Sequence, residues 1–281
     1  DITRYRKSLV GEKSREINRL QKFLEGSNIK LSSYVTNING VSSLALLKLS
    51  LSGKTIDRET VIQTVDPKLK SKADDIVLSL DGVFSSLQKA LVLQIISHIE
   101  DMEKRVKELD DLINRHLGKF EKAIQKADQL PGIAENSAKT IIAEIGIDMS
   151  RFPTDAHLAS WAGLSPGNNE SAGKKKNSKC IKGNPTLKST LIQCAVVACA
   201  QKGTFFHAQY QRIALRRGKN RAHVAVAHSM LIALYHMIKE DIDYVDLGDN
   251  YYNQFNREAK INQLLKRLNA LGWQEPAALP V

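Results

Sequence analysis

The segment with the strongest chemical potential is a polar loop around Ser171. Residues 168–176 read Asn-Asn-Glu-Ser-Ala-Gly-Lys-Lys-Lys. The lysines can attract a phosphodiester and offset charge that builds on its oxygens, and the Ala-Gly pair lets the backbone approach closely. A serine needs a base or a metal ion to remove its proton, and the acid in this loop is Glu170. The spacing does not fit a phosphate-binding P-loop. From these residues alone, a nucleophile and an ordinary loop serine both remain open.

The positive charge of the chain is concentrated in one stretch. The formal net charge is +11, and residues 168–222 hold eight lysines and four arginines against one acid, which accounts for the entire excess. Such a local excess indicates a binding face for a polyanion, with nucleic acid ahead of a membrane surface, although a merely solvated basic face remains open. The residues of this stretch predicted to bind nucleic acid are Gly173, Lys174, Lys175, Lys176, Lys179, Lys182, Asn184, Arg212, Arg216, Arg217, Lys219 and Arg221.

Other reactive side chains do not form a recognisable site. The three cysteines give no disulfide framework and fit a reducing cytoplasm. Cys194 and Cys199 lie about 140° apart around an apolar helix, which predicts buried structural cysteines. The histidines between residues 223 and 236 are poorly spaced for a metal, and the acids of residues 100–111 indicate a solvated helix face. We therefore expect no cofactor within this chain, and no apolar run approaches the ~20 residues that span a bilayer.

The clearest structural pattern is a heptad repeat that begins at Ile99. Apolar residues recur at steps of three and four, at Ile99, Met102, Val106, Leu109, Ile113, Leu117, Phe120 and Ile124. No glycine interrupts the run before Gly118 and no proline before Pro131. The pattern predicts one long helix from about Phe84 to Leu130, either a coiled-coil arm or the seam of an antiparallel helical hairpin. A dimer contact is its expected use.

A tight turn follows that helix. Residues 130–134 read Leu-Pro-Gly-Ile-Ala, and a second apolar helix runs from there to Gly146. This outline resembles a helix-hairpin-helix, in which backbone N–H groups face a DNA phosphate, and Gly132 is its candidate contact. The usual second glycine is Ala134 here, so an ordinary turn between two helices remains open.

No run of alternating residues indicates strands, so the predicted fold class is all-α, a long coiled-coil arm followed by a compact helical domain. Asp57 is expected to cap a short helix with Glu59 in its first turn. Four segments are predicted. Residues 1–30 form a basic amphipathic helix that continues a preceding domain, 31–129 a helical coiled-coil region, 130–247 a compact domain with the hairpin-like turn and the Ser171 loop, and 248–281 a polar tail with a basic helix.

Several longer motifs together resemble one known family. They are Leu-Pro-Gly-Ile at 130–133, Ala-Glu-Ile-Gly at 143–146, Met-Ser-Arg-Phe-Pro at 149–153, Ala-His-Leu-Ala-Ser-Trp-Ala-Gly-Leu at 156–164, Pro-Gly-Asn-Asn-Glu-Ser-Ala-Gly-Lys at 166–174, Lys-Gly-Asn-Pro at 182–185, Arg-Arg-Gly-Lys at 216–219 and Ala-Val-Ala-His-Ser at 225–229. Thr-Arg-Tyr-Arg at 3–6 and Asn-Arg-Leu-Gln-Lys at 18–22 extend the match to the front of the chain. The set resembles the C-terminal transposase domain of the 110 (one-ten) family of insertion sequences.

This resemblance implies a composite active site. Family members join a RuvC-like domain with four metal-binding acids to a helical region and a serine-bearing domain, and the serine becomes covalently joined to DNA. The family serine falls on Ser171. The Mg²⁺ ions are expected in a RuvC-like domain, which should precede Asp1, so this chain alone is expected to be inactive. A structured RNA from the element pairs with donor and target DNA, so base pairing selects the sites.

The resemblance and the charge pattern together predict a transposase of the RNA-guided recombinase type. Its expected partners are donor and target DNA, the element's RNA and further copies of the chain joined through the coiled coil, without a membrane. We expect it in the bacterial cytoplasm, associated with the nucleoid. The alternative is a non-catalytic module for nucleic-acid binding and oligomerisation.

Overall fold

The computed structural model describes residues 1–167, 169–171, 174–177, 179–254 and 257–273. Residues 169–171, 174–177, 253, 259 and 260 are described by their backbone alone. The chain divides into two compact units, Asp1–His116 and Leu117–Val281. Each unit has its own cluster of buried apolar side chains. Each unit therefore has a hydrophobic core that can be considered by itself.

Every regular element among the described residues of the first unit is a helix or a 3₁₀ turn. Its helices are α1 (Ile2–Gly26), α2 (Val41–Leu51), α3 (Arg58–Thr64), α4 (Ala73–Ser79) and α5 (Ser86–Leu117), with 3₁₀ turns at Leu31–Ser33 and Pro67–Lys72. Asp57 caps α3 as predicted, since its carboxylate accepts a 2.8 Å hydrogen bond from the backbone N–H of Thr60. Glu59 lies in the first turn of this helix, where its negative charge interacts favourably with the helix dipole.

The long helix packs against the first helix in antiparallel fashion. Arg6 pairs with Asp110, and Lys13 Nζ lies 3.3 Å from Glu103 Oε1. Residue numbers thus increase along α1 while those of their partners decrease along α5, so the two helices run in opposite directions. Apolar residues of both helices, including the heptad residues Ile99 and Met102, belong to one buried cluster. Part of the heptad pattern is therefore buried within the chain, while the expected contact between copies stays a prediction.

The long helix ends earlier than the heptad pattern predicts. It stops at Leu117, a 3₁₀ turn covers Gly118–Phe120, and a new helix begins at Glu121. The predicted continuous helix to Leu130 is wrong at this point. Glycine favours a break because it has no side chain to restrict its backbone and loses the most entropy in a helix.

The second unit is built around two long apolar helices. Its elements are α6 (Glu121–Asp128), α7 (Glu135–Ile145), α8 (Asp155–Trp161), β1 (Asn169–Ser171), β2 (Lys174–Asn177), α9 (Pro185–Ala200), α10 (Phe205–Arg217), α11 (Lys219–Lys239), α12 (Tyr251–Gln254) and α13 (Arg257–Ala270), with a 3₁₀ turn at Met149–Arg151. Helices α9 and α11 supply many of the fully buried side chains, including Leu191 and Met230. The all-α class is confirmed, with one short hairpin that the sequence reading did not predict.

Two further features concern the hydropathy of the helices and the buried cysteines. Across the described residues, no helix combines the length and the hydropathy required to cross a bilayer. Cys194 and Cys199 are buried, as the apolar helix around them predicts, and burial raises the pKa of both thiols, that of Cys199 to about 11. These cysteines are therefore protonated packing residues at neutral pH.

Candidate nucleic-acid interface

The Ser171 segment is an antiparallel β-hairpin. Strand β1 pairs with β2 so that Ser171 lies opposite Lys174 and Glu170 opposite Lys175, with an irregularity between residues 169 and 170. Ser171 is therefore the last described residue of β1, and Lys174 is the first of β2. The predicted contacts of Gly173 fall outside the described residues, and those of the Ser171 and Lys174–Lys176 side chains fall outside the described atoms.

The base of this hairpin is fixed to the helical core by backbone contacts. The N–H of Gly167 donates to the carbonyl of Lys179 at 2.9 Å, and Pro166 pairs with Cys180 in an isolated bridge. Below them, Gly163 has φ +73°, and a Cβ on it would lie 2.9 Å from the nitrogen of Gly183. No other residue type fits there without displacing the neighbouring backbone, so the two chain segments converge on a defined point.

Asn184 connects that point to two helices. Its Oδ1 accepts hydrogen bonds of 3.0 Å from the backbone N–H groups of Thr186 and Leu187, which caps α9. Its Nδ2 donates to Glu144 Oε2 on α7 at 2.6 Å, and its backbone N–H donates to the carbonyl of Trp161. The structure thus gives Asn184 a positioning role, since it fixes where the chain leaving the hairpin enters α9.

A second basic feature is the turn between α10 and α11, which we call the basic turn and define as residues 212–221. Arg216 and Arg217 end α10, Gly218 has φ +84°, and Lys219 begins α11 without a side-chain cap. All are exposed. A cation in the first turn of a helix opposes its dipole, so the position of Lys219 is unfavourable unless an anion binds nearby.

No acid offsets these cations nearby in the chain. Residues 171–239 contain thirteen lysines and arginines and neither aspartate nor glutamate. Among the described side chains, none forms an ion pair with Arg216, Arg217 or Lys219 within 4.0 Å. Arg216, Arg217 and Lys219 are therefore exposed cations without an acidic partner among the described side chains.

The segment after α11 holds α10 in place. Asp246 Oδ1 accepts from the backbone N–H of Phe205 at 2.9 Å, and Tyr244 donates its hydroxyl to Asp246 Oδ2 at 3.0 Å. The ring of Tyr252 stacks on Phe205 at 5.3 Å and lies 5.1 Å from the guanidinium of Arg212. Arg212 is therefore oriented by a cation–π contact. This support involves long-range contacts that no local motif in the sequence indicates.

The hairpin-like turn at Gly132 packs inward. Gly132 has φ +83°, and a Cβ there would lie 2.6 Å from the backbone nitrogen of Ala198 and closer still to the carbonyl oxygen of Cys194. A glycine is therefore required here by its close packing against α9. The predicted phosphate contact of its backbone stays a prediction.

The remaining candidates are arranged differently. Lys179 and Lys182 are exposed. Burial, then the charge of Lys219, lowers the pKa of His223, which stacks on Tyr210 at 4.9 Å. Burial also lowers the pKa of His228. Both histidines are therefore neutral at pH 7. Within the described part of the chain, no three His, Cys, Asp or Glu side chains converge to hold a metal ion.

Residues 125–211 match the family model described as Transposase IS116/IS110/IS902 family. The matched segment contains α7, α8, the hairpin and α9, so it includes both the helical scaffold and the Ser171 strand. Over this segment the chain is similar to the IS116/IS110/IS902 transposases, the family that its motifs resemble. No curated protein matches the chain. Members of the matched family are transposases, which act on DNA.

Proposed function

We propose that this chain is the DNA-joining part of an RNA-guided transposase and that Ser171 is its nucleophile. The observation that carries the proposal is the family match across residues 125–211, which includes the hairpin that ends β1 at Ser171. The base of that hairpin is fixed by the Gly163–Gly183 contact and by the Asn184 cap. A rigid base of this kind supports a reactive residue that must meet DNA in one orientation.

The proposed step is a transesterification. The Ser171 oxygen attacks the phosphorus of a phosphodiester, a new serine–phosphate bond forms and the bond to one DNA oxygen breaks. The serine proton passes to a general base, and the departing DNA oxygen takes up a proton to become a hydroxyl. Lysines 174–176 stabilise the charge on the phosphoryl oxygens in this scheme. The serine–phosphate bond is itself a phosphodiester of similar energy. A second DNA hydroxyl can therefore attack its phosphorus, release the serine and join a different strand.

The resemblance also supplies partners for this step. We propose that a RuvC-like domain contributes metal-binding acids and that a structured RNA selects the donor and target DNA by base pairing. The described residues of this chain do not assemble such acids, so the proposal assigns them to a different domain. The role of this chain is then to bind DNA backbones and present Ser171.

The experiment uses the assembled transposase with its metal-bearing domain, RNA, Mg²⁺ and DNA. Ser171→Ala should abolish strand cleavage and a denaturation-resistant protein–DNA adduct. DNA binding should stay within a few fold, because one hydroxyl contributes little to ground-state binding. Ser165→Ala, a few residues earlier in the same segment, is the matched control and should keep the adduct.

An adduct that persists in Ser171→Ala overturns the nucleophile assignment. The second candidate function, a non-catalytic binding and oligomerisation module, is favoured by the acid-free charge of residues 171–239. It predicts salt-dependent DNA binding with no adduct in either the wild type or the variant.

A further inference from the structure

The basic turn contains one side chain that electrostatics does not explain. Leu215 is 86 % exposed, and it is the residue directly before Arg216 and Arg217. Single exposed leucines are common on protein surfaces, so exposure alone decides nothing. Its setting is more specific, because the surrounding residues are exposed cations with no acid anywhere in residues 171–239.

Leu215 lies on the outer side of α10. At 100° per residue, it is about 180° from the buried Phe206 and about 160° from Ile213, which is partly buried. Arginine, lysine and glutamine have helix propensities similar to that of leucine, so helix formation does not require an apolar residue here. Neither packing nor helix stability therefore accounts for a leucine at this position.

Two arginines lie beside Leu215, both on the same side of it around the helix. Arg212 and Arg216 lie within about 100° of it around the axis and are about 6 Å apart along the axis. The ring of Tyr252 holds the guanidinium of Arg212. An apolar side chain thus projects beside two cations, one of which, Arg212, is oriented in advance.

We propose that Leu215 is an apolar wedge that enters an unstacked base step of duplex DNA while the arginines of the basic turn bind the adjacent phosphates. The inference rests on the DNA binding of the proposed function and adds to it a preference for deformable DNA. Leucine is one of the side chains that proteins insert between base pairs, and arginines commonly accompany it. The step to be opened costs least where pairing is already weak.

The test compares two short duplexes of the same sequence, one fully paired and one with a central mismatch, bound by the full chain. We expect the wild type to bind the mismatched duplex about tenfold more tightly, because much of the unstacking cost is already met. Leu215→Ala should lose this preference and Leu215→Met should keep it. A 2-aminopurine beside the mismatch should brighten with the wild type and stay dim with Leu215→Ala.

Three controls separate the wedge from other effects. Leu78→Ala removes a leucine that is 72 % exposed in the first unit and should leave the preference unchanged. The double variant Arg216→Gln, Arg217→Gln should weaken binding to both duplexes and reduce the salt dependence while it keeps the preference. Leu215→Ala should unfold at the same temperature as the wild type, since the side chain has little buried contact to lose.

The possible failures are distinguishable. Salt-dependent binding without a mismatch preference, or a preference that Leu215→Ala retains, overturns the wedge and leaves the proposed function intact. Absence of salt-dependent DNA binding overturns DNA binding by this chain and the wedge with it. A Leu215→Ala effect on self-association alone would assign this leucine to a protein contact and also overturn the wedge.

Discussion

Two glycines of the second unit share the same φ angle but differ in their surroundings, which makes them a matched pair. Gly132 and Gly203 both have φ +83°. A Cβ on Gly132 would lie 2.6 Å from the backbone nitrogen of Ala198, whereas a Cβ on Gly203 would meet no atom within 4 Å. Gly203→Ala therefore introduces backbone strain alone, and Gly132→Ala introduces strain together with a collision against the backbone of α9.

The expected loss of stability follows from these two contributions. A left-handed conformation costs an alanine about 1–2 kcal/mol, and this applies to both variants. Forcing an extra carbon into a packed interface adds about 1–3 kcal/mol, and this applies to Gly132→Ala alone. We therefore expect a loss of roughly 2–5 kcal/mol at Gly132, against roughly 1–2 kcal/mol at Gly203.

Urea unfolding followed by tryptophan fluorescence measures this difference. Both tryptophans, Trp161 and Trp273, belong to the second unit, so the signal reports on the unit that contains both glycines. If Gly132→Ala is no less stable than Gly203→Ala, the close packing of the turn against α9 is refuted. The turn would then be open to move, as an exposed phosphate-binding turn requires.

Three further predictions follow from the charges and the packing. Replacing all three lysines at 174–176 by glutamine should flatten the slope of log affinity against log salt by about two to three units. An unchanged slope would show that these lysines do not contact the DNA backbone. Ile113→Asp places a charge at a residue that is 3 % exposed, so it should destabilise the first unit by several kcal/mol in circular dichroism melts. The exposed control Lys107→Asp should melt close to the wild type, and equal melting of the two variants would contradict the seam. Burial lowers the pKa of His228, with a smaller opposing effect from Asp155, so the unfolded chain binds more protons and stability should fall as the pH drops through about 6.5. The variant His228→Gln should show a weaker fall, and an identical pH profile would contradict this assignment.

The features that could be predicted from the sequence are local ones. The cap at Asp57 was predictable because its hydrogen bond partner is three residues away. The burial of Cys194 was predictable because the helix around it is largely apolar. The family resemblance was likewise carried by short ordered motifs, and the match at residues 125–211 confirms it over that segment.

The features that were missed depend on contacts distant in sequence. Strands β1 and β2 consist largely of lysine, asparagine and other polar residues with low strand propensity, so their pairing has no local pattern. The helix break at Gly118 was not predicted because the regular spacing of apolar residues continues past it to Phe120 and Ile124. The bond between Asn184 and Glu144 joins residues 40 positions apart, and no periodicity indicates it.

The central claim concerns the identity of one atom, the oxygen that becomes joined to DNA. The most direct measurement is to trap the denaturation-resistant adduct in the assembled transposase, digest the protein and the DNA, and find the modified peptide by mass spectrometry. We expect a nucleotide remnant on the peptide from the hairpin, with fragmentation that places it on Ser171. Strand cleavage with the remnant on any other residue, or with no remnant at all, would contradict the account.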